Sequence, residues 1–326
     1  MLEPVHTAAA PPPGTSRIPV LQTHGLTKRY GERLAVRDLT LSVPPGEIYG
    51  FLGPNGAGKT TTIRMCLGLI APTAGTVEIL GYGLRAHAAT VLPRVGALVE
   101  QPALYTYLSG RDNLRVVGDA LGGVSTARLD EVLDLVALRS RERDRVRTYS
   151  LGMKQRLGVA MALLNDPDLV ILDEPTNGLD PAGIVEMRDL LRRLASQGKT
   201  VFISSHVLAE VQQICTRVAI IASGRLIAES AVADLLRERN EFVVTVERPA
   251  DALVQITSQS WGSGAYLDAD SRIITPAPEG TSEALTVFLV NAGFAPRSLT
   301  PRQFDLEEVF LRLTAPQDGP HTGATA

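Results

Sequence analysis

The sequence predicts an α/β protein built around a largely parallel sheet, followed by a second, smaller α+β domain. Between residues 18 and 230, short runs of β-branched and apolar residues alternate with amphipathic helical patterns, an arrangement typical of a parallel sheet covered by helices. Several of the predicted strands are apolar on both faces, as buried parallel strands are. Near residue 240 the pattern changes to a short strand and then a Ser/Gly-rich stretch, which marks the start of the smaller domain.

The individual elements follow from local patterns. The predicted strands are 47–52, 76–80, 95–99, 169–172, 200–204 and 218–222 in the main domain and 242–246 in the second. Apolar residues at i, i+3, i+4 and i+7 predict helices around 129–136 and 187–194. The latter helix begins with Asp180 as N-cap and Pro181 in its first turn, and it stops at Gly198. Further helices are predicted at 231–239, 282–291 and 306–313.

The length of 326 residues gives an expectation of about two domains. Residues 1–17 contain four prolines and no apolar periodicity, so we expect a disordered N-terminal extension. The main domain is predicted over 18–239 and the accessory domain over 240–314. Residues 315–326 are small and polar, and we expect them to form a flexible tail.

Composition excludes several functional classes. The 32 Lys and Arg residues against 35 Asp and Glu give a net charge of -3, so no nucleic-acid partner is expected. Cys66 and Cys215 lie outside any CxxC or Cys/His cluster, which disfavours a zinc site or disulfide framework. The N-terminus lacks the features of a signal peptide, and no apolar run approaches the roughly 20 residues that span a bilayer. We therefore expect a cytoplasmic location.

Residues 53–60 read Gly-Pro-Asn-Gly-Ala-Gly-Lys-Thr and match GxxxxGK[ST] between a predicted strand and a helical pattern. In this segment, called the phosphate loop below, we expect the glycines to let N–H groups close around phosphate oxygens, Lys59 to reach the β- and γ-phosphates and Thr60 to ligate Mg²⁺. The alternative is a glycine-rich connector without chemistry, which the strand-loop-helix context disfavours. The predicted nucleotide contacts are Gly53, Pro54, Asn55, Gly56, Ala57, Gly58, Lys59, Thr60 and Thr61.

Two acidic residues, Asp173 and Glu174, end the apolar strand predicted at 169–172. The carboxyl end of a buried parallel strand lies beside the phosphate loop in such a sheet. Asp173 is predicted to hold the metal, and Glu174 to polarise a water for attack on the γ-phosphate. Alone, an Asp-Glu pair after a strand is more often a surface turn. With the phosphate loop upstream, the pair indicates a nucleoside triphosphatase.

The segment Tyr-Ser-Leu-Gly-Met-Lys-Gln at 149–155, called the signature-like segment below, precedes the acidic strand. It resembles the signature motif of ATP-binding cassette proteins, usually Leu-Ser-Gly-Gly-Gln, and it retains the serine (Ser150) and the second glycine (Gly152). Ser150 and the first amides of the following helix can stabilise a phosphate anion. In isolation, Ser-x-Gly before a helix reads as an N-cap.

The resemblance spans about residues 21–239 and carries over three further positions. It implies that Tyr30 stacks on adenine, that the segment ending in Asp180 (177–180) is the D-loop, and that His206 is the switch histidine that holds the γ-phosphate. One departure concerns the strand 95–99, after which the family usually places a glutamine that approaches the metal. This chain has Glu100 followed by Gln101, so both are metal candidates.

The resemblance implies the cassette fold of phosphate-loop NTPases: a mainly parallel sheet with an antiparallel β part and a helical subdomain at about 100–165. It implies hydrolysis of ATP with Mg²⁺, catalysed by Lys59, Glu174 and His206. The family acts as a head-to-tail dimer across ATP, here a homodimer or a heterodimer with a second cassette. It acts with a separate membrane permease subunit at the cytoplasmic face of the membrane.

Three features resemble the subfamily that serves drug, antibiotic and lantibiotic exporters. They are glutamate at position 100, the sequence Tyr-Ser-Leu-Gly-Met at 149–153 and the C-terminal sequence Leu-Glu-Glu-Val-Phe-Leu at 306–311. The alternative is a soluble cassette ATPase that acts on ribosomes, DNA or protein.

Five arginines at alternate positions over 139–147 form a charged face, interrupted by two acids. This face is either simply solvated or lies where related cassettes approach the membrane subunit.

Overall fold

The computed structural model describes residues 18–237, 241–302 and 306–314. These residues form two compact units that divide between Glu229 and Ser230. The sequence placed the boundary after residue 239 because it counted the connecting helix with the main domain, whereas in the structure this helix belongs to the second unit. The expected N-terminal extension, residues 1–17, and the expected tail, residues 315–326, lie outside the described residues.

The first unit contains ten strands and seven helices among its described residues. The strands are β1 (Leu21–Tyr30), β2 (Arg33–Val43), β3 (Ile48–Leu52), β4 (Ala74–Ile79), β5 (Tyr82–Gly83), β6 (Val95–Leu98), β7 (Leu169–Asp173), β8 (Thr200–Ser205), β9 (Arg217–Ala222) and β10 (Arg225–Ala231), the last of which extends into the second unit. The helices are α1 (Lys59–Cys66), α2 (Leu84–Val91), α3 (Gly110–Ala120), α4 (Thr126–Leu135), α5 (Leu151–Ala162), α6 (Pro181–Ser196) and α7 (Leu208–Ile214).

The central sheet has the strand order β10-β9-β3-β8-β7-β6. The pairs β3/β8, β3/β9, β7/β8 and β6/β7 are all parallel. Every residue of β3, β7 and β8 is buried, which agrees with strands that are apolar on both faces. The predicted parallel α/β core is therefore confirmed.

A second sheet, with the order β2-β1-β4-β5, is antiparallel. It is the antiparallel β part that the resemblance implied. The strands β1 and β2 are not among the strands predicted from local patterns. Their register shifts at several points, for example between Thr23 and Leu26, and such bulges interrupt the period-two alternation by which a strand is recognised.

Helices α3, α4 and α5 pack against one another within the range expected for the helical subdomain. Each begins at a serine N-cap, Ser109, Ser125 and Ser150, whose side chain accepts a backbone N–H three residues later. Helix α6 begins as predicted, with the Asp180 side chain accepting the Gly183 N–H at 2.9 Å. No helix within the described ranges is long and apolar enough to cross a bilayer.

The second unit has the order β11 (Glu241–Thr245), α9 (Pro249–Thr257), β12 (Tyr266–Leu267), β13 (Ile273–Pro276), α10 (Ser282–Asn291) and β14 (Ser298–Pro301), preceded by α8 (Val232–Arg237) and followed by α11 (Leu306–Thr314). Its sheet has the order β12-β13-β11-β14 and is antiparallel. This is the split βαβ arrangement of ferredoxin-like units. Phe242, Ile256 and Leu285 belong to its own hydrophobic core, so the predicted α+β character is confirmed.

Candidate active site

The parallel strands β3, β8 and β7 lie side by side and end at one edge of the central sheet. Asp173, at the end of β7, is the register partner of Ser204 on β8, and Leu52 on β3 is the partner of Ser205. The phosphate loop therefore emerges beside Asp173, Glu174 and the segment after β8, as expected at the carboxyl edge of a parallel sheet.

A cavity of about 510 Å³ opens over this edge. The residues that line it are Tyr30, Arg33, Ala35, Asn55, Gly56, Gly58, Lys59, Thr60, Thr61, Glu174, Asn177 and His206. Most of the predicted nucleotide contacts therefore share one cavity. Gly53, Pro54 and Ala57 belong to the same loop without lining the cavity, and the sequence reasoning missed Arg33 and Ala35.

The phosphate loop needs its glycines for conformation and for space. Gly56 and Gly58 have φ of 80° and 105°, in the left-handed region that disfavours residues with a side chain. A Cβ at Gly58 would also lie 2.5 Å from the Ala35 carbonyl oxygen. The loop leads directly into α1, so the first amides of that helix face the cavity edge, where they favour an anion.

Lys59 is buried at the start of α1, with 6% of its surface exposed. Its Nζ donates to the Gly53 carbonyl oxygen at 2.7 Å and lies 3.1 Å from Glu174 Oε1. A longer hydrogen bond, 3.4 Å, runs from Nζ to the Pro54 carbonyl oxygen, so each of the three donors of the ammonium group has a partner within the protein.

Thr60 and Asp173 form an oxygen-rich pair beside Lys59. The Thr60 hydroxyl donates to Asp173 Oδ2 at 2.7 Å, and Asp173 is only 4% exposed. The Ser204 hydroxyl donates to the other carboxylate oxygen, so both oxygens of this buried carboxylate have a partner. Ser204 is a further residue that the sequence reasoning missed, although a serine at the end of an apolar strand was a visible signal.

Glu174 is held between two basic side chains. Its Oε1 faces Lys59 Nζ, and its Oε2 lies 2.7 Å from His206 Nδ1. Its backbone has φ of 51°, an unfavourable conformation for a residue with a side chain. The Glu174 N–H donates to the Ser204 hydroxyl at 3.0 Å and approaches the Ser204 carbonyl at 3.2 Å. These bonds hold the strained backbone and aim the carboxylate into the cavity.

Tyr30 lies at the end of β1 and is 48% exposed. The Lys28 ammonium lies 5.1 Å from the centre of its ring, within the range of a cation–π contact. The ring is therefore a supported aromatic surface at the cavity wall, as stacking on a base requires.

The structure does not bring Glu100 and Gln101 to this cavity. Glu100 forms an ion pair with Arg64 of α1, and 63% of its side chain is exposed. Gln101 is exposed as well. Glu100 also has a positive φ, 64°, so the chain turns sharply at the end of β6 as it does at Glu174 after β7.

The signature-like segment lies outside the cavity. The Ser150 side chain accepts the Met153 N–H at 3.2 Å, so the serine is the N-cap of α5, and Gly152 lies in the first turn of that helix. Asp180, which is likewise outside the cavity, caps α6.

The segment before the signature is fixed by its own contacts. The buried Tyr149 donates its hydroxyl to the Arg141 carbonyl at 2.7 Å. Asp130 pairs with Arg111 and Arg139, and these guanidinium groups lower the pKa of the Asp130 carboxyl to about 2. The arginines at 139–147 are thus partly paired, although the Arg143 side chain is 93% exposed.

Comparison with known proteins identifies the family. A family model described as ABC transporter matches residues 36–177. The chain is 42% identical over 299 residues to a bacitracin transport ATP-binding protein of Bacillus licheniformis, covering 90% of this chain and 97% of that protein. The chain belongs to the ABC transporter family. Its cassette resemblance, stated above from the motifs, is confirmed.

Further comparisons agree with this assignment. A daunorubicin resistance ATP-binding protein of Streptomyces coeruleorubidus is 37% identical over 297 residues, with 89% of this chain and 94% of that protein covered. A solved ATP-binding subunit of an ABC transporter is 32% identical with a TM-score of 0.59, covering 66% of this chain and 91% of that chain. This chain is an ATP-binding subunit and ATPase of the family.

Proposed function

We propose that this chain hydrolyses ATP to energise export of a drug, antibiotic, peptide or similar compound through a separate membrane permease subunit, at the cytoplasmic face of the membrane. The observation that carries the proposal is the convergence of Lys59, Glu174 and His206 at one cavity edge, beside the pair of Thr60 and Asp173. The two relatives named for bacitracin transport and daunorubicin resistance extend over both units of this chain, which favours export over the soluble-ATPase alternative.

Mg²⁺ fits the donors beside the phosphate loop. The Thr60 hydroxyl and the Asp173 carboxylate supply hard oxygen atoms, which Mg²⁺ prefers. Within the described residues there is no cluster of three or more His, Cys, Asp or Glu side chains suited to a metal, so phosphate and water oxygens would complete the ligand set. Bound there, Mg²⁺ would neutralise charge on the phosphates. The proposal that Glu100 or Gln101 joins these ligands stays a prediction.

In the proposed reaction, Glu174 accepts a proton from a water molecule while the water oxygen forms a bond to the γ-phosphorus. The bond between that phosphorus and the bridging oxygen breaks, so ADP and phosphate leave. Lys59 neutralises charge on the β- and γ-phosphates, and His206 binds a γ-phosphate oxygen. The contact between His206 and Glu174 orients both side chains toward the same point of the cavity.

The dimer proposal follows from where the signature-like segment lies. Ser150 and Gly152 begin α5 outside the cavity that Lys59 lines. A second cassette, identical or different, would bring its own Ser150 and first α5 amides to the phosphates, where a helix N-terminus stabilises an anion. ATP would then hold two copies together, and loss of the γ-phosphate would release them.

The experiment is affinity purification of a tagged Glu174→Gln chain from its native cells in mild detergent with ATP. We expect a polytopic membrane protein to accompany this variant, because it keeps ATP bound without hydrolysing it. The matched control is the Lys59→Ala chain, which should recover much less of the partner if ATP stabilises the assembly. Recovery of ribosomes or nucleic acid with no membrane protein would contradict export and support the soluble ATPase.

A further inference from the structure

Arg33 is a charged residue of the cavity that none of the predicted motifs includes. It begins β2, immediately after the two-residue turn of Gly31 and Glu32, and it is the register partner of Tyr30 at the end of β1. Residues directly opposite each other in an antiparallel pair point to the same face. Tyr30 and Arg33 therefore share one face of the hairpin, and both line the cavity.

The Arg33 guanidinium reaches toward the phosphate loop. A Cβ placed on Gly56 would lie 3.9 Å from Arg33 Nη2, so the guanidinium is close to the middle of the loop. The backbone around Gly56 and Gly58 is the part of the loop that closes around phosphate oxygens. Arg33 thus approaches the phosphate position from the hairpin, whereas Lys59 and Thr60 approach it from α1.

The Arg33 guanidinium has no counterion among the residues that the structure describes. Throughout residues 18–237, 241–302 and 306–314, no side chain forms a hydrogen bond or ion pair with the Arg33 guanidinium. Lys59, in contrast, already has Glu174 and the Gly53 carbonyl as partners. A planar guanidinium with several free N–H groups is well suited to bind two phosphate oxygens at once.

We propose that Arg33 is an additional residue of this site that binds the phosphates of nucleoside di- and triphosphates. The proposal rests on ATP binding at the phosphate loop and adds a contact from the β1–β2 hairpin. When the adenine base stacks on the Tyr30 ring, the Arg33 guanidinium binds the phosphate chain at the point where that chain passes over Gly56. Because Arg33 begins β2, whereas Glu174 and His206 follow β7 and β8, we assign its contribution to nucleotide binding rather than to the hydrolytic step.

The test compares the full-length chain with Arg33→Met and Arg29→Met, using titration calorimetry with ADP and with ATP plus EDTA. Methionine keeps a long apolar stem and removes the charge. Arg29 is the matched control, since it is an exposed arginine on β1 that does not line the cavity. We expect Arg33→Met to raise Kd for both nucleotides about 3- to 10-fold, a modest effect because the guanidinium is exposed to solvent.

Salt dependence and turnover complete the test. The ratio of Kd values for Arg33→Met and wild type should shrink between about 0.05 M and about 0.5 M salt, because salt screens the lost charge. KM for ATP should rise while kcat stays at the wild-type value. Equal Kd values for Arg33→Met and Arg29→Met at low salt would overturn the proposal. A Lys59→Ala chain that binds ADP like wild type would instead show that the phosphate loop is not the nucleotide site.

Discussion

The phosphate loop cluster and the signature-like segment hold their functional side chains in different ways. Around the phosphate loop, the four residues of this cluster, Lys59, Asp173, Glu174 and His206, contact one another or share partners across two strands and a helix. In the signature-like segment, Ser150 caps its own helix, and the neighbouring Tyr149 donates to the Arg141 carbonyl. One chain thus holds the phosphate loop cluster through its own contacts and carries the signature-like segment at a separate place, outside the cavity.

This difference separates two kinds of functional defect. A change in the phosphate loop cluster should impair a site within the chain that carries it. A change in the signature-like segment should instead impair the site whose phosphate loop belongs to the other chain of the dimer.

The largest expected effect is that of Glu174→Gln on hydrolysis. Loss of the proton acceptor should lower kcat for ATP about 100-fold or more, while Kd for ATP stays within a few-fold of wild type because Lys59 and the loop amides remain. Phosphate release and calorimetry measure the two quantities. The control is Glu283→Gln in the second unit, where the carboxylate accepts a hydrogen bond from the adjacent Ser282. Turnover near the wild-type value would show that Glu174 is not the base.

The second prediction concerns Ser150→Asp. Aspartate is as good an N-cap as serine, so α5 should remain folded, but its charge should repel the phosphates bound by a partner and lower hydrolysis about tenfold or more. Ser125→Asp is the matched control, because Ser125 caps α4 with the same 3.2 Å contact that Ser150 makes at α5. Normal hydrolysis by Ser150→Asp would contradict a phosphate-facing role.

Mixing two impaired chains tests the shared site directly. In equal mixtures of Ser150→Asp and Lys59→Ala, random pairing leaves about a quarter of all composite sites with both residues intact. We expect hydrolysis to recover toward that fraction, measured as phosphate release per total chain. A mixture that is no more active than its separate components would show that the two regions do not meet across a dimer.

How well the sequence predicted the two regions depended on how local each contact is. The parallel strands and the phosphate loop were predictable because each depends on a short run of residues with its own pattern. The spans found, Ile48–Leu52 and Leu169–Asp173, match the predicted ones within one residue. The cap at Asp180 was predictable for the same reason, since its hydrogen bond reaches only to Gly183.

Long-range contacts were not predictable from local patterns. Arg33 reaches the cavity because the β1–β2 hairpin folds over Gly56, and Ser204 meets Asp173 only through strand register. The placement of Glu100 beside Arg64 depends on the sharp turn after β6, which a strand pattern does not reveal. Site geometry was therefore less predictable than site composition, because geometry depends on residues far apart in sequence.

A smaller expected effect tests how the signature-like segment is positioned. A Cβ at Gly110 would lie 2.3 Å from the Tyr149 hydroxyl oxygen, so Gly110→Ala should displace that hydroxyl from the Arg141 carbonyl. Burial raises the pKa of Tyr149, so at neutral pH the hydroxyl is protonated and donates. We expect Tyr149→Phe to lower the free energy of unfolding by about 1 kcal/mol and Gly110→Ala by about 2 kcal/mol.

The double variant, Gly110→Ala with Tyr149→Phe, shows whether Gly110 and Tyr149 stabilise the segment through one contact. Both single changes remove the same hydrogen bond, and phenylalanine also relieves part of the clash, so the double variant should lose less stability than the sum of the single changes. Urea unfolding of the full chain gives the four free energies. Strict additivity would show that Gly110 and Tyr149 stabilise the segment independently.

A local effect on the reactivity of the two buried cysteines tests the same contrast. Cys66 ends α1, which begins at Lys59, whereas Cys215 follows α7. Burial raises the pKa of the Cys66 thiol to about 12, so thiolate is scarce at pH 8 and labelling requires local opening. ATP at about ten times its Kd should slow Cys66 labelling by up to about tenfold when that opening releases the nucleotide. Cys215 should respond less. If ATP still protects Cys66 in the Lys59→Ala chain, ATP does not stabilise α1 through the phosphate loop. The phosphate loop cluster would then not differ from the signature-like segment in the way proposed.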